Sequence, residues 1–165
     1  MLAIINAAAE AYRGAIPADC WHEPYFPPDE LDAEIARGVA FTGLEADGAL
    51  AGVMGVQTVR NATLIRHAYV LPALQGRVLG SVLIRHLCAR ASRQILVGTW
   101  AAARWAIGFY ERHGFALVPG AAKDALLGAY WTIPPRQAEV SVVLAAPPLD
   151  EAGTAQLIAA GKGSA

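Results

Sequence analysis

Two stretches of this sequence combine residue types at spacings that could do chemistry. The first is Val70-Leu71-Pro72-Ala73-Leu74-Gln75-Gly76-Arg77-Val78-Leu79-Gly80-Ser81. A strand pattern ends at Pro72, a short loop turns, and a helical pattern begins at Leu79. The first backbone N–H groups of a helix have no intrahelical partner, and the helix dipole leaves that end positive, so such a turn is a ready anion site. Gly76 and Gly80 would let the backbone approach a bulky pyrophosphate, Arg77 adds a cation, and Ser81 adds a hydroxyl. The same residues also suit an ordinary strand-to-helix turn. The stretch is not a P-loop, because no Gly-Lys-Ser/Thr occurs in it, and it lacks the G-x-G-x-x-G spacing of a dinucleotide site.

The second stretch is Ala101–Phe115, AAARWAIGFYERHGF. Helical spacing puts Tyr110 on one face with Ala103, Ala106 and Ile107. A stripe of small residues ending in a tyrosine would leave room for something to lie along the helix. The tyrosine also suits a half-buried position with its hydroxyl in water. Trp105 and Phe109 fall on an adjacent face and are expected to pack into the core. Glu111 is expected to be solvated.

These stretches need elements to position them. Leu2, Ile5, Ala9 and Tyr12 recur at helical spacing over residues 2–13, and Gly14 and Pro17 stop that helix. Residues 19–28, DCWHEPYFPP, form a loop with three aromatics and three prolines. Asp29 is expected to cap a short helix running to Arg37 and closed by Gly38. Val39–Leu44 and Ala49–Val59 read as a hairpin around the turn pair Asp47-Gly48. Thr63–Val70 is a third strand. Leu79, Val82, Leu83, His86, Leu87 and Arg90 make one helical stripe over residues 79–92. Ile95–Thr99 is a strand, Ala101–His113 a helix stopped by Gly114, and Phe115–Val118 a strand. Residues 121–131 look helical, Pro134-Pro135 marks a loop, and Glu139–Leu144 is a last strand. The order predicts an α/β chain of the α+β mixed-sheet kind: a central mixed β-sheet with helices on both faces. Residues 1–146 read as one domain and 147–165 as a short C-terminal tail holding at most one loose helix.

Composition narrows the class. The chain has 165 residues, of which 55% are hydrophobic and 16% charged. That is enough chain for one sizeable core. The low charge density leaves apolar surface to cover, and a homodimer or a buried cofactor groove would cover it. A net charge of −1, with no block of like charges, gives no pull toward nucleic acid or anionic lipid. Cys20 and Cys88 stand far apart and suggest neither a disulfide framework nor a zinc site, so no metal is expected. The start of the chain makes a poor signal peptide, and no apolar run reaches membrane-spanning length. A cytoplasmic protein without a membrane partner is expected.

Taken together, Gln-Gly-Arg-x-x-Gly-Ser on a strand-to-helix turn and, some thirty residues on, A-I-x-F-Y-E-x-x-G-F resemble the GNAT-type N-acetyltransferase superfamily. The resemblance covers residues 39–118 in pattern and element order, and the leading helices and trailing strand fit it. It implies an acyl-CoA N-acyltransferase fold and acetyl-CoA as cofactor. It implies that the pantetheine arm lies beside Tyr69 and Val70, with a backbone N–H near Val70 on the thioester carbonyl. The pyrophosphate would sit on Gln75, Gly76, Arg77, Val78, Leu79, Gly80 and Ser81, with Ala103, Ala106 and Tyr110 along the cofactor. Tyr110 would protonate the CoA thiolate after direct attack by a primary amine through a tetrahedral species. The acceptor would be a small amine, an amino acid or a peptide N-terminus.

The chain departs from the family pattern at three places, one of them around Trp100 and Ala103, where the asparagines often seen ahead of the second helix are replaced. Val78 stands where a glycine is usual and is expected to narrow the turn. Residues 63–70 carry no carboxylate to act as base. That strand offers Arg66 and His67, which alternation places on opposite faces. His67, with an imidazole suited to neutral pH, and His22 with Glu23 in the aromatic loop stand as equal candidates for the base. Trp21, Tyr25, Phe26, Trp100, Tyr130 and Trp131 are candidates for the acceptor pocket. A non-catalytic acyl-CoA-binding or sensing module, acting through a protein partner, and an unrelated α/β nucleotide-binding protein are the alternative readings.

Overall fold

The hairpin predicted around Asp47-Gly48 forms as β1 (Ala40–Ala46) and β2 (Ala49–Val59), with Ala46 opposite Ala49 and a bulge between Leu44 and Glu45. Asp47 and Gly48 have φ of 53° and 76°. Two successive left-handed residues make the two-residue turn whose twist matches the strands, and Asp-Gly tolerates it best. The computed structural model describes residues 1–76 and 78–162 of the chain. Among these, the remaining elements are α1 (Leu2–Ala9), α2 (Pro28–Ala36), β3 (Ala62–Val70), α3 (Leu79–Arg90), β4 (Gln94–Trp100), α4 (Arg104–Glu111), β5 (Ala116–Leu117), α5 (Gly120–Tyr130), α6 (Pro135–Glu139), β6 (Ser141–Ala146) and α7 (Glu151–Lys162). The strands make one six-stranded mixed sheet in the order β1-β2-β3-β4-β6-β5.

The chain divides into two units, residues 1–57 with 65–90 and residues 58–64 with 91–165. The first holds α1, α2, β1, α3 and most of β2 and β3. Its core gathers Ile4, Ile5, Phe26 and Val53, with Leu2, Tyr25, Leu31, Leu50, Tyr69 and Leu71 packed against them. Asn6 ties the aromatic loop to α1. Its Nδ2 donates to the Phe26 carbonyl at 2.9 Å, and its Oδ1 accepts from the Phe26 N–H at 2.7 Å. Without that pair the loop's backbone would lose two bonds in a half-buried place.

The second unit is organised by β6, which pairs antiparallel with β4 from Ile95↔Ala146 to Trp100↔Ser141 and with β5 at Ala116↔Ala145 and Leu117↔Leu144. Its core joins Ala62, Leu64, Leu96, Val118, Ala122, Leu126, Leu127, Tyr130, Val143 and Ala145. The segment after Pro147 folds as α7. Tyr130 Oη donates to Asn61 Oδ1 at 2.7 Å, and Asn61 Nδ2 donates to the Leu157 carbonyl at 2.9 Å, which docks α7 on this core.

Four local expectations need correction. Asp29 does not cap α2: the helix begins at Pro28, whose fixed φ suits the first helical position, and Asp29 lies inside the first turn. Pro134-Pro135 is not only a loop, since Pro135 starts α6 in the same way, and α6 takes Glu139 and moves the last strand to Ser141–Ala146. On α3 the buried residues are Leu83, Ile84 and Leu87, while Val82, His86 and Arg90 are exposed, so the buried stripe is turned toward Ile84. Trp105 is 51% exposed and not in the core, because α4 buries Ala106, Ile107 and Tyr110 instead.

Candidate active site

The turn read as a candidate anion site opens with a one-turn 3-10 segment, Pro72–Leu74, that follows β3 directly. Leu74 N–H donates to the Leu71 carbonyl and Gln75 N–H to the Pro72 carbonyl, and the Gln75 side chain donates back to the Val70 carbonyl at 3.1 Å. Gln75 thus staples the turn to the end of the strand. Gly76 has φ of 79° and nothing within 4 Å of where a Cβ would be, so this position needs glycine for its conformation and faces open space. Arg77 lies outside the described residues. Val78 is 66% exposed, which leaves its isopropyl group in solvent. Leu79 opens α3, and Val82 N–H donates to the Val78 carbonyl at 2.9 Å as the helical ladder begins. Leu79, Gly80 and Ser81 are half-buried in its first turn.

Beside the turn's strand lies the aromatic loop. Tyr69 meets Tyr12 and Tyr25 edge-on, with centroids 6.3 and 6.5 Å apart, and its hydroxyl donates to that of Tyr25 at 3.3 Å. Tyr25 also packs on Trp21 at 5.2 Å and stacks on His22 at 6.1 Å. Of the six expected pocket aromatics, Trp21, Tyr25 and Trp131 are half-buried, while Phe26, Trp100 and Tyr130 are interior. Tyr130 serves the α7 contact described above, and Trp131 lies over Gly98, with ring atoms 3.6 Å from where a Cβ would stand.

The three base candidates differ sharply. Glu23 Oε1 accepts from Trp21 Nε1 at 2.9 Å and pairs with Arg13 at 2.6 Å. The Trp21 bond, then the Arg13 bond, hold this exposed carboxyl below its ordinary range. A carboxylate so held is a weak proton acceptor at neutral pH. His22 Nδ1 lies 2.8 Å from the Pro24 carbonyl, and a carbonyl only accepts, so Nδ1 carries the hydrogen and Nε2 is the basic atom. His67 has φ of 50°, left-handed inside a strand. That kink breaks the period-two alternation, and the expectation that Arg66 and His67 point to opposite faces fails: both reach the same atom, Glu34 Oε2, each at 2.7 Å.

Glu34, on α2, is the residue the sequence reading missed. It is 4% exposed, whereas the next residue, Ile35, is 48% exposed, the reverse of their hydrophobicities. Its Oε1 pairs with Arg37 at 2.9 Å. Burial pushes its carboxyl up, but the His67 hydrogen bond and the Arg66 charge outweigh burial and hold it down at about 2. Nearby Glu30 is raised, mainly by burial. Four carboxylates, Asp29, Glu30, Asp32 and Glu34, crowd α2, and no sequence signal separates the buried one from the others.

In the second unit, α4 presents Tyr110 at 6% exposure, edge-on to Phe109 at 5.3 Å and to Phe115 at 5.7 Å. The Tyr110 carbonyl accepts from the His113 and Phe115 N–H groups, which closes the helix before Gly114. Ala103 and Ala106 are fully buried, so the room expected beside their methyl groups is filled by protein atoms.

The turn, the kinked strand and the tyrosine helix all fall within residues 2–115, the stretch matched by the model of the acetyltransferase (GNAT) family. This chain belongs to the GNAT family. Among solved structures, the GNAT chain is similar to the PaiA N-acetyltransferase from Thermoplasma acidophilum in complex with coenzyme A, at 15% identity and a TM-score of 0.63, covering 87% of this chain and 88% of that one. It is similar to the IAA acetyltransferase from Bacillus cereus ATCC 14579, at 20% identity and 0.55, covering 81% and 93%. A GNAT family acetyltransferase from Elizabethkingia anophelis with acetyl-CoA bound matches at 15% and 0.56, covering 79% and 89%. At these identities the likeness is one of fold. No curated protein matches this GNAT chain in sequence.

Proposed function

We propose that this chain is an N-acetyltransferase that moves an acetyl group from acetyl-CoA to a primary amine: a small amine, an amino acid or a peptide N-terminus. The observation that carries the reading is the Gln75–Ser81 turn at the head of α3, with a left-handed Gly76 facing open space and the Gln75 staple behind it. These residues fit a pyrophosphate, since a helix N-terminus with room in front of it is an anion site. Exposed Val78 supplies a backbone N–H and leaves its side chain in solvent. Gln75, Gly76, Val78, Leu79, Gly80 and Ser81 would hold the phosphates, joined by Arg77, and Tyr69 and Val70 would line the pantetheine arm.

Acetyl-CoA supplies an activated acetyl thioester. The chain's own part is to orient it, to take a proton from the amine and to give one to the departing sulfur. Tyr110 is the proposed acid for the sulfur, and a positioned acid contributes about 10²–10⁴-fold in rate. His67 is the proposed base in preference to Glu23, whose carboxylate is held by Trp21 and Arg13. The half-buried aromatics Trp21, Tyr25 and Tyr69 would shape the acceptor site beside it. Free half-buried thiols at Cys20 and Cys88 suit a reducing, cytoplasmic setting.

The test is direct. Acetyl-CoA and CoA should raise the melting temperature, and free thiol should appear when amines are offered. Tyr110→Phe should lower kcat at least about tenfold with little change in CoA affinity. Absence of any CoA effect on melting would remove the cofactor. CoA binding without transfer to a broad amine panel would leave a binding module in place of an enzyme.

A further inference from the structure

The Glu34 network has more structure than a tie between helix and strand requires. Glu34 Oε2 faces His67 Nε2 and Arg66 Nη2, both at 2.7 Å, and Oε1 faces Arg37 Nη2 at 2.9 Å. Gln57 closes the ring: its Oε1 accepts from Arg66 Nη1 at 2.8 Å, and its Nε2 donates to the Arg37 carbonyl at 2.9 Å. Phe26 lies against the imidazole at 4.6 Å, and Phe41 stacks on it at 5.8 Å with planes 29° apart. The charged groups around His67 are therefore Glu34 and Glu30 from α2, Arg37 just past its end, and Arg66 from β3.

A carboxylate whose charge is met by two guanidiniums can only accept, so the hydrogen on the contact sits on His67 Nε2. In a neutral imidazole that leaves the lone pair on Nδ1. Nδ1 makes no hydrogen bond among the described residues. It is also not a sealed atom, because the only fully buried unpartnered side-chain N or O among those residues is Thr154 Oγ1. The side chain as a whole is 14% exposed. The ring is thus packed between two aromatics, tethered at one nitrogen and unpaired among the described residues at the other.

We propose that Glu34 is a positioning residue for His67: it fixes the Nε2–H tautomer and so makes Nδ1 the atom that removes the proton from the acceptor amine. This rests on the N-acetyltransferase reading. The proton passes from the amine to Nδ1, directly or through one water, as the nitrogen's electron pair is freed for attack. The imidazolium that forms keeps its Nε2–H on Glu34, whose negative charge lies 2.7 Å away, and then returns the Nδ1 proton to solvent. The amine's proton and the product's amide are both accounted for without another reactant.

The experiment has one arm that does not need turnover. In full-length protein labelled with ¹⁵N-histidine, with His67 assigned by comparison with His67→Gln, the imidazole should be the Nε2–H tautomer near neutral pH. In Glu34→Gln, whose amide can donate as well as accept, it should shift toward a mixture. An Nδ1–H tautomer in the unaltered protein, or an identical tautomer ratio in Glu34→Gln, overturns the proposal. The kinetic arm is a double-mutant cycle. Glu34→Gln should lower kcat about a hundredfold with the acetyl-CoA KM within twofold. In a His67→Ala background it should cost less than about threefold. Equal losses in both backgrounds would make Glu34 structural only and refute the proposal. Glu34→Asp, which keeps the charge, should recover part of the rate and serves if the glutamine variant folds poorly. If no amine is acetylated by the unaltered protein, the N-acetyltransferase reading fails, while the tautomer measurement still decides what Glu34 does to His67.

Discussion

Acid should loosen the first unit largely through one side chain. The Glu34 carboxyl is displaced from its ordinary 4.5 to about 2 by His67 and Arg66, against the opposing effect of its burial. A carboxyl depressed in the folded state contributes stability that is fully present above the unfolded value and is lost as pH falls through the folded one. At ~1.36 kcal/mol per pH unit, the displacement amounts to about 3 kcal/mol, lost between pH ~4.5 and pH ~2. That is a large share of the 5–15 kcal/mol that typically separates folded from unfolded protein. The other depressed carboxyls, Glu10 and Glu23, are surface groups paired with Arg13, and such exposed pairs carry little. The assay is urea unfolding followed by circular dichroism at intervals from pH 7 to pH 2, for the unaltered chain and for Glu34→Gln. The stability gap between the two should be widest at pH 7 and should shrink by about 3 kcal/mol toward pH 2. A gap that stays constant across the range would mean that the ionised carboxylate is not what holds α2 to β3.

Three further outcomes follow from particular contacts. Gly161→Ala would place a Cβ 2.5 Å from Asn61 Oδ1 and 3.2 Å from Tyr130 Oη. Its helix-propensity gain of about 1 kcal/mol should be outweighed by crowding, for a net loss of about 1–2 kcal/mol; a raised melting temperature would contradict this. Asn6→Ala should cost about 2–3 kcal/mol, because it strands both the N–H and the carbonyl of Phe26, and hydrogen exchange at Phe26 should rise with it. Gly76→Ala meets open space but keeps φ of 79°, so it should cost about 1–2 kcal/mol in the turn. It should also weaken CoA binding by at least about fivefold in a titration, and lower the melting temperature of the free protein by about 2–8 °C.

What could be read from the sequence was local. Asp47-Gly48 announced its turn because few residue pairs accept two left-handed conformations. The turn at Gln75–Gly80 and the face shared by Ala103, Ala106, Ile107 and Tyr110 were legible because a change from period two to helical spacing depends on near neighbours. The parts that escaped depend on distant ones. Burial of Glu34 in place of Ile35 is decided by two arginines and a histidine, and Arg66 and His67 are on another element thirty residues away. The kink at His67, which lets Arg66 and His67 share one oxygen, has no signature in the strand pattern TLIRHAYV, since histidine is not a residue that calls for left-handed backbone. Trp105 was assigned to the core by its hydrophobicity, although α4 has only one buried face and Ala106, Ile107 and Tyr110 fill it. Prolines at 28 and 135 were read as loop residues, yet each opens a helix where its missing N–H costs nothing.

The Asn61 contact gives the second unit a timetable. Asn61 is reached by Tyr130 across 69 residues and by Leu157 across 96. On a ribosome adding about 5–20 residues per second, that last span takes roughly 5–20 seconds to emerge. Through that interval Ala62 and Leu64, which end up fully buried, lack the partners on α5, β6 and α7 that cover them. A nascent chain in this window presents the start of β3 as an uncovered apolar strand. Chaperone capture or misassociation during synthesis is therefore to be sought at residues 59–64, and a stop before Glu151 should leave Leu157 and Ile158 missing from a core whose other members are all present.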